Sequence, residues 1–312
     1  MSAWRVPSPL PGELAHSVIG RYLNSWRGLD AIGLLTQVAG FRPTWTHPAC
    51  PPGVHRLARM SLPGETDPLH QFVADHTLLP YFMAFEPQGI VSSCMVALRN
   101  NERACISRLL RPTALRIGSP LGLRVCVTCF DLNLRDFGEC YWHRMHQLPG
   151  VFHCLVHGDR LKYSNIPLTG DNAMRYETPD SHSIQSSLRD DELPFFDRRL
   201  ERKIAPRSGR LLLDGKPEYR SGLVSTYRRT LMQFGFGGRK NELRTTAFEA
   251  DLCKWLGRHK CDPARIGFGR WWLRLMTDIP GRSTPLQHLI LAEYVRERTR
   301  LSLAESPDLF GF

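Results

Sequence analysis

Four residues, in two pairs, have the types and spacing to hold a metal ion. Cys126-Val-Thr-Cys129 is followed, after 24 intervening residues, by Cys154-Leu-Val-His157. Two residues between ligands form a knuckle whose side chains can reach one tetrahedral ion, and three thiolates with one imidazole suit Zn²⁺. Cys126, Cys129, Cys154 and His157 are therefore the predicted ligands of one structural Zn²⁺. All four positions are filled by protein, so the site is expected to be closed, with no place for a reacting water.

Other residues compete for that role. Cys140, His143, His146 and His153 lie between the knuckles, and any one could substitute as a ligand. Their crowding also has a weak likeness to a ββα zinc nuclease of the HNH type, in which a histidine activates water beside a metal-bound phosphate. A histidine on a packed face is more often structural. Cys253, His259 and Cys261 could suggest a second ion, but they form no knuckle, and Cys253 is expected on the apolar side of its helix.

The second chemical signal is charge. The chain of 312 residues carries a net +11, yet residues 198–300 hold 23 Lys/Arg against 10 Asp/Glu while the remainder is slightly acidic. Thirty-five of the 41 basic residues are Arg, whose planar fork suits phosphate and base edges. A basic third beside a near-neutral remainder points to DNA, unless the charge is merely solvated.

Two helix pairs in that third could present the charge. Thr284-Pro285-Leu286-Gln287 combines an N-cap hydroxyl, a first-turn proline and a capping-box glutamine. The helix that starts there, about 285–297, follows a helix predicted over 263–277 through a short turn, in helix-turn-helix fashion. The first residues of a second helix face base edges in such motifs, which nominates Arg270, Arg274, Arg282, Ser283, Thr284, Gln287 and His288. An earlier pair, 221–234 and 242–257 around Gly235-Phe-Gly-Gly238, nominates Arg239, Lys240, Arg244, Thr245 and Thr246 in the same sense.

These side chains need a scaffold. Leu14, Val18, Tyr22 and Trp26 at steps of four predict a helix over 13–26, and shorter periodic stretches follow near 31–39, 68–79 and 89–110. Short β-prone pieces, Leu123–Val125, Val151-Phe152 and Leu161–Tyr163, surround the knuckles. The expected architecture is mostly α and multi-helical, with helix-turn-helix-like pairs and an inserted zinc-ribbon module of small β elements. Its divisions are an N-terminal helical module (1–115), the ribbon (116–166), a polar linker (167–197) and a basic helical domain (198–312). With 42% hydrophobic residues the chain can bury a sizeable core. No apolar run is long enough to span a bilayer and no signal peptide is evident, which predicts a cytoplasmic protein without a membrane partner, on the nucleoid when bound to DNA.

The zinc segment carries a wider signature: Leu123-Arg-Val-Cys126, Cys129, Gly138, Tyr141-Trp142-His-Arg144, His146-Gln-Leu-Pro-Gly-Val151, Cys154, His157-Gly158 and Leu161. Upstream, Pro7-Ser-Pro, Glu13-Leu14, Ser17 and Arg21 add an opening motif, and His76-Thr-Leu-Leu-Pro80-Tyr81 with Phe85 adds a third. Together these resemble the TniQ/TnsD family of transposon target-selection proteins, well over about 7–162 and weakly over 220–297. The resemblance implies a non-enzymatic adaptor. It would bind target DNA or dock on an RNA-guided CRISPR effector, and recruit a AAA+ transposition regulator (TnsC-like). It also implies the same four metal ligands. Long TnsD members continue well past this length, which argues against autonomous target reading, and a homodimer is left open. No P-loop, HExxH or G-x-S-x-G motif occurs, in keeping with a non-enzyme. The competing classes are a sequence-specific DNA-binding transcriptional regulator and a zinc nuclease. Trp4, Trp45, Tyr81 and Phe82, expected in loops of the near-neutral N-terminal module, are candidate contacts for the AAA+ regulator.

Overall fold

The first helix forms where the apolar stripe begins: α1 (Ala15–Ser25) buries Val18, Ile19 and Tyr22 and stops at Trp26. The structure is a computed structural model that describes residues 6–26, 31–40, 50–51, 53–101, 117–118, 122–167, 176–180, 184, 193–214, 222–238, 242–267, 270–276 and 283–302. After α1 come α2 (Ala31–Ala39), α3 (Val54–Ser61), α4 (Pro68–His76), α5 (Leu79–Met83) and α6 (Gln88–Arg99). Asp67 caps α4, accepting from the His70 N–H, with Pro68 in the first turn. The single stretch expected over 68–79 is two helices. Thr77 divides them, because its hydroxyl donates to the Val73 carbonyl (2.7 Å) and accepts from the Leu79 N–H (3.2 Å).

The β structure is small. Strand β1 (Gly122–Val125) pairs antiparallel with β2 (Lys162–Pro167), placing Arg124 opposite Tyr163 and Val125 opposite Lys162. The knuckle region differs from the expected run of β pieces, since a helix, α7 (Val127–Phe137), grows directly from the first knuckle. Gly138 ends it in the left-handed conformation (φ 72°), its N–H bonded to the Leu134 carbonyl (3.0 Å). Val151-Phe152 is no strand; the second knuckle turns instead through a bridge between His153 and Arg160.

The C-terminal third contains α8 (Arg198–Asp214), α9 (Leu223–Leu231), a π turn (Met232–Phe236), α10 (Thr245–Arg258), two one-turn helices α11 (Pro263–Ile266) and α12 (Trp271–Arg274), and α13 (Pro285–Ser302). The helix expected over 263–277 is thus broken. Gly267, at φ 148°, occupies a backbone state that side-chain-bearing residues avoid. The break expected at Gly235 is present, with that residue at φ 85° inside the π turn.

Helix α8 ties the molecule together. Asp197 caps it, accepting from the Leu200 N–H (2.7 Å), and Leu200, Ile204, Leu211 and Leu212 form its buried stripe. It packs on α4 and α5 on one side and α13 on the other. The described part of the expected polar linker is not loose: Tyr176, Phe195 and Phe196 are buried, and the Trp142 indole N–H donates to the Glu177 carbonyl (2.7 Å). One contiguous apolar cluster runs from Val6 through the knuckles to Val295.

Between α8 and α13 lies a buried charge network. Glu293, 1% exposed, faces Lys203 (3.0 Å), Arg207 (2.7 Å) and Arg296 (3.3 Å). Glu297 beside it accepts from Lys203 and from the Trp255 indole N–H (2.7 Å). Breaking such a network from one side strands its partners. Glu293→Ala is expected to cost about 3–5 kcal/mol, read as a lower urea midpoint, while Arg199→Ala on the exposed face of α8 should leave the midpoint unchanged.

Candidate metal centre and basic surface

The four predicted ligands converge from three local structures. Cys126 follows β1 as the N-cap of α7, Cys129 sits in the first turn of α7, and Cys154 and His157 flank the second knuckle. That knuckle closes through the Gly158 N–H on the Cys154 carbonyl (2.9 Å) and the Cys154 N–H on the Asp159 carbonyl (2.8 Å). Gly158 takes φ 75°, and its missing side chain makes the sharp turn inexpensive.

The four donor atoms lie within 4.8 Å of one another. Nδ1 of His157 is 3.6 Å from Cys126 Sγ, 3.3 Å from Cys129 Sγ and 3.7 Å from Cys154 Sγ, and the Cys129 and Cys154 sulfurs are 3.8 Å apart. Ordinary metal–sulfur and metal–nitrogen bonds around one tetrahedral ion imply S···N edges of about 3.6 Å and S···S edges of about 3.8 Å. The cluster therefore has the dimensions of a four-coordinate metal site.

Its protonation makes the same point. Hydrogen bonding from Cys129 pulls the Cys154 thiol well below its usual range, while the bond to Cys154 together with burial drives Cys129 up. Burial pushes Cys126 up to about 11. A bound cation would favour ionisation of all three thiols against the burial that opposes it. Asp159 buttresses the cluster, accepting from Cys126 (3.4 Å) and from the Thr128 hydroxyl.

The competing residues have other partners. Cys140 points its sulfur at the Phe130 carbonyl (3.4 Å), His143 bonds Asn133 (3.0 Å), and His153 pairs with Glu201 (2.8 Å). His146 is buried, with Nε2 at 3.7 Å from Cys129. His146 is thus held in the interior beside the four candidate donors rather than facing solvent. Cys253 is exposed, contrary to the expected core position, because α10 turns Leu252, Trp255 and Leu256 inward instead. His259 pairs with Asp197 (3.3 Å) rather than joining Cys261 at an ion.

The opening segment docks directly on this module. The Leu14 N–H donates to the Trp142 carbonyl (2.8 Å), the Arg144 N–H to the Gly12 carbonyl (3.0 Å), and the Tyr141 hydroxyl to the Pro11 carbonyl (3.1 Å). Arg21 bridges Glu13 (2.9 Å) and Glu139 (2.7 Å), and the guanidinium of Arg144 reaches the carbonyls of Ala74 and Thr77. Glu13 is fully buried, and burial raises its carboxyl despite Arg21. Trp4 and Trp45 lie outside the described residues; Tyr81 and Phe82 are buried in α5, as core residues rather than surface contacts.

Candidate DNA residues divide sharply. Arg239, Lys240 and Arg282 lie outside the described residues. Arg244 and Thr246 are exposed and Thr245 half-buried at the start of α10. Arg270 is exposed but paired with Glu249 (2.8 Å), Arg274 is exposed, and Ser283 is half-buried. Thr284 and Gln287 are buried in a reciprocal cap: the Thr284 N–H donates to Gln287 Oε1 (2.9 Å), the Gln287 N–H to Thr284 Oγ (3.3 Å), and the Gln287 amide to the Ile266 carbonyl (2.8 Å). His288 stacks on Phe85 with ring centroids 4.1 Å apart, and burial pushes its pKa down to about 3. The start of α13 thus faces the interior. The earlier pair is different: α9 and α10 are joined through the π turn and a bridge from Gly237 to Leu243, and Arg228 and Arg229 on α9 are also exposed. Those two arginines were not singled out in sequence, though they lie opposite the buried Tyr227 and Leu231.

Fold and site together define a mostly helical protein organised around a Cys₃His cluster with the dimensions of a metal site, on which its own N-terminal segment docks. The chain belongs to the TniQ family, whose model matches residues 4–161. It is also similar to the transposon Tn7 transposition protein TnsD of Escherichia coli, at 26% identity over 153 residues. That stretch is 49% of this chain and 30% of the relative, so the chain spans about a third of the relative's length.

One divalent ion per chain is the expected content of purified protein by elemental analysis. Cys154→Ser should lose both metal and solubility. Metal-free protein with an intact cooperative unfolding transition would exclude a structural ion.

Proposed function

We propose that this chain is a target-selection adaptor of transposition, holding one structural Zn²⁺ and catalysing no reaction itself. Membership of the TniQ family and similarity to a transposition protein support the system; three thiolates and an imidazole at tetrahedral spacing support the metal. The DNA-binding part of the reading rests on one observation above all: Arg228, Arg229 and Arg244 stand exposed on one helix pair, α9 and α10. In this reading α9 and α10 touch DNA, or the nucleic acid of an RNA-guided effector, through Arg228, Arg229, Arg244 and Thr246. Arg239 and Lys240, which fall between those helices in the sequence, would add to the same surface. A AAA+ regulator of the TnsC kind would be recruited by the N-terminal helical module of residues 1–115.

The role of each arginine is phosphate neutralisation more than base reading. Arg228 and Arg229 are adjacent on one helix, and no acidic partner holds them among the described residues. Every phosphate they neutralise releases condensed counterions, so binding should weaken steeply as salt rises.

Removing residues 1–20 cannot test the recruiting role, because it takes away Glu13, Leu14, Ser17 and Val18, all fully buried. The full chain is the right reagent. Tagged protein should capture a purified AAA+ transposition regulator of the TnsC kind, in the presence of ATP and DNA; a transcriptional regulator would bind its DNA and capture none. Arg228→Ala/Arg229→Ala/Arg244→Ala should bind duplex DNA at least tenfold more weakly, with a salt slope smaller by about 2–3, and unfold at the same urea concentration as the parent. Unchanged affinity would move the DNA surface elsewhere.

A further inference from the structure

His146 is the one histidine beside the cluster that the four-ligand reading leaves without a task. It is 3% exposed, its Nε2 lies 3.7 Å from Cys129 Sγ, and its Nδ1 is buried with no hydrogen-bond partner. The ring is not loosely placed. His146 sits in a 3₁₀ turn (Arg144–Gln147) whose flanking residues are both anchored: the Arg144 N–H donates to the Gly12 carbonyl, and Gln147 exchanges hydrogen bonds with the backbone of Arg124 (2.9 and 2.8 Å).

The orphan nitrogen decides what the ring does. If Nδ1 carried the proton, a buried N–H would have no acceptor, and the Nε2 lone pair would face the electron-rich sulfur of Cys129. If Nε2 carries it, that N–H points at the thiolate and only an acceptor lone pair goes unmet. A buried orphan donor is rarer in native proteins than an under-satisfied acceptor, and a donor to an ionised acceptor makes the stronger bond. The metal then has four ligands and Cys129 has a fifth, hydrogen-bonded neighbour.

We propose that His146 is a positioning residue of the metal centre: its Nε2–H donates to the Cys129 thiolate, orients that sulfur and withdraws electron density from it. This rests on the metal reading of the same site, which metal content tests separately. A thiolate that accepts a hydrogen bond is less basic and less nucleophilic. Cys129 is therefore shielded from proton attack and from oxidants on its buried side, where no solvent competes for the bond. The same contact links the centre to the Arg144–Gln147 turn and so to the opening segment.

The test uses the full chain loaded with Zn²⁺ or Co²⁺. Long-range ¹H–¹⁵N spectra of the zinc protein should show His146 in the Nε2–H tautomer. In the cobalt protein, His146→Phe should move the sulfur-to-metal charge-transfer band to lower energy, and His146→Gln, which keeps an N–H donor, should restore it toward the parent position. Zinc release under hydrogen peroxide should be about tenfold faster for His146→Phe than for the parent, with His146→Gln between them. The Nδ1–H tautomer in the parent would overturn the proposal without any variant. So would identical spectra and release rates for the Phe and Gln proteins, which would mean that the ring only fills space. If His157→Ala still gives a tetrahedral cobalt spectrum that His146→Phe then abolishes, His146 is a ligand rather than a donor.

Discussion

Three cysteine sulfurs packed around one imidazole nitrogen are an electrostatic problem with one economical solution. Their spacing leaves no room for water between them, and the protein offers Asp159, another acid, as the nearest carboxylate. Like charges at such separations cannot all form unless a cation sits among them. A divalent ion would convert mutual repulsion into four bonds and, because the unfolded chain has no such site, its binding free energy would become folding free energy. The fold around the cluster is arranged as though that ion were its keystone: β1 leads into the first ligand, α7 starts from it, and the second knuckle returns the chain to β2.

From that centre the constraints spread through buried polar contacts rather than apolar packing alone. Arg124, on β1 and 1% exposed, donates to the carbonyls of Leu148 (2.8 Å) and Val151, which fixes the loop between the knuckles. That loop presents Trp142 to the opening segment and Phe152 to α8, where Glu201 accepts from the Phe152 N–H (2.9 Å) and from His153. A buried guanidinium or carboxylate is tolerable only when its partners are in place. Each of these contacts therefore penalises any arrangement in which the N-terminal segment, the knuckles and α8 are not docked together. This explains how motifs scattered over residues 7–161 can serve one structural end.

What was legible in the sequence was what is local. Knuckle spacing, the Thr284 cap with its Gln287 partner and the α1 stripe are each written within a few turns of chain, and each is present as read. Helix α8 was not foreseen. Pro206 lies inside it and charged residues outnumber its apolar stripe, so neither propensity nor periodicity announces it, although Asp197 supplies an ordinary cap. Helix α7 hid behind the expectation of β structure, with Gly138 as the overlooked stop signal. The location of His288 could not be read at all, because Phe85, on which it stacks, is 203 positions away.

The reading of Thr284 and Gln287 as DNA contacts carries a more general lesson about capping boxes. A reciprocal cap spends the hydroxyl of one residue and the amide of the other on the backbone N–H groups of the helix start. Here the remaining amide nitrogen of Gln287 goes to Ile266, and Leu286 between them presses toward Gly118 and Gly150. Both side chains are buried and spent on the fold rather than turned toward a base edge. The first turn of α10 is built the other way: no side chain caps it, Arg244 and Thr246 stay exposed, and among the described residues the turn before it is held by backbone contacts, the Arg244 N–H on the Phe236 carbonyl and the Gly238 N–H on the Glu242 carbonyl (both 2.7 Å). A helix start secured by side chains is committed to the fold, whereas one secured by backbone keeps its side chains for a partner.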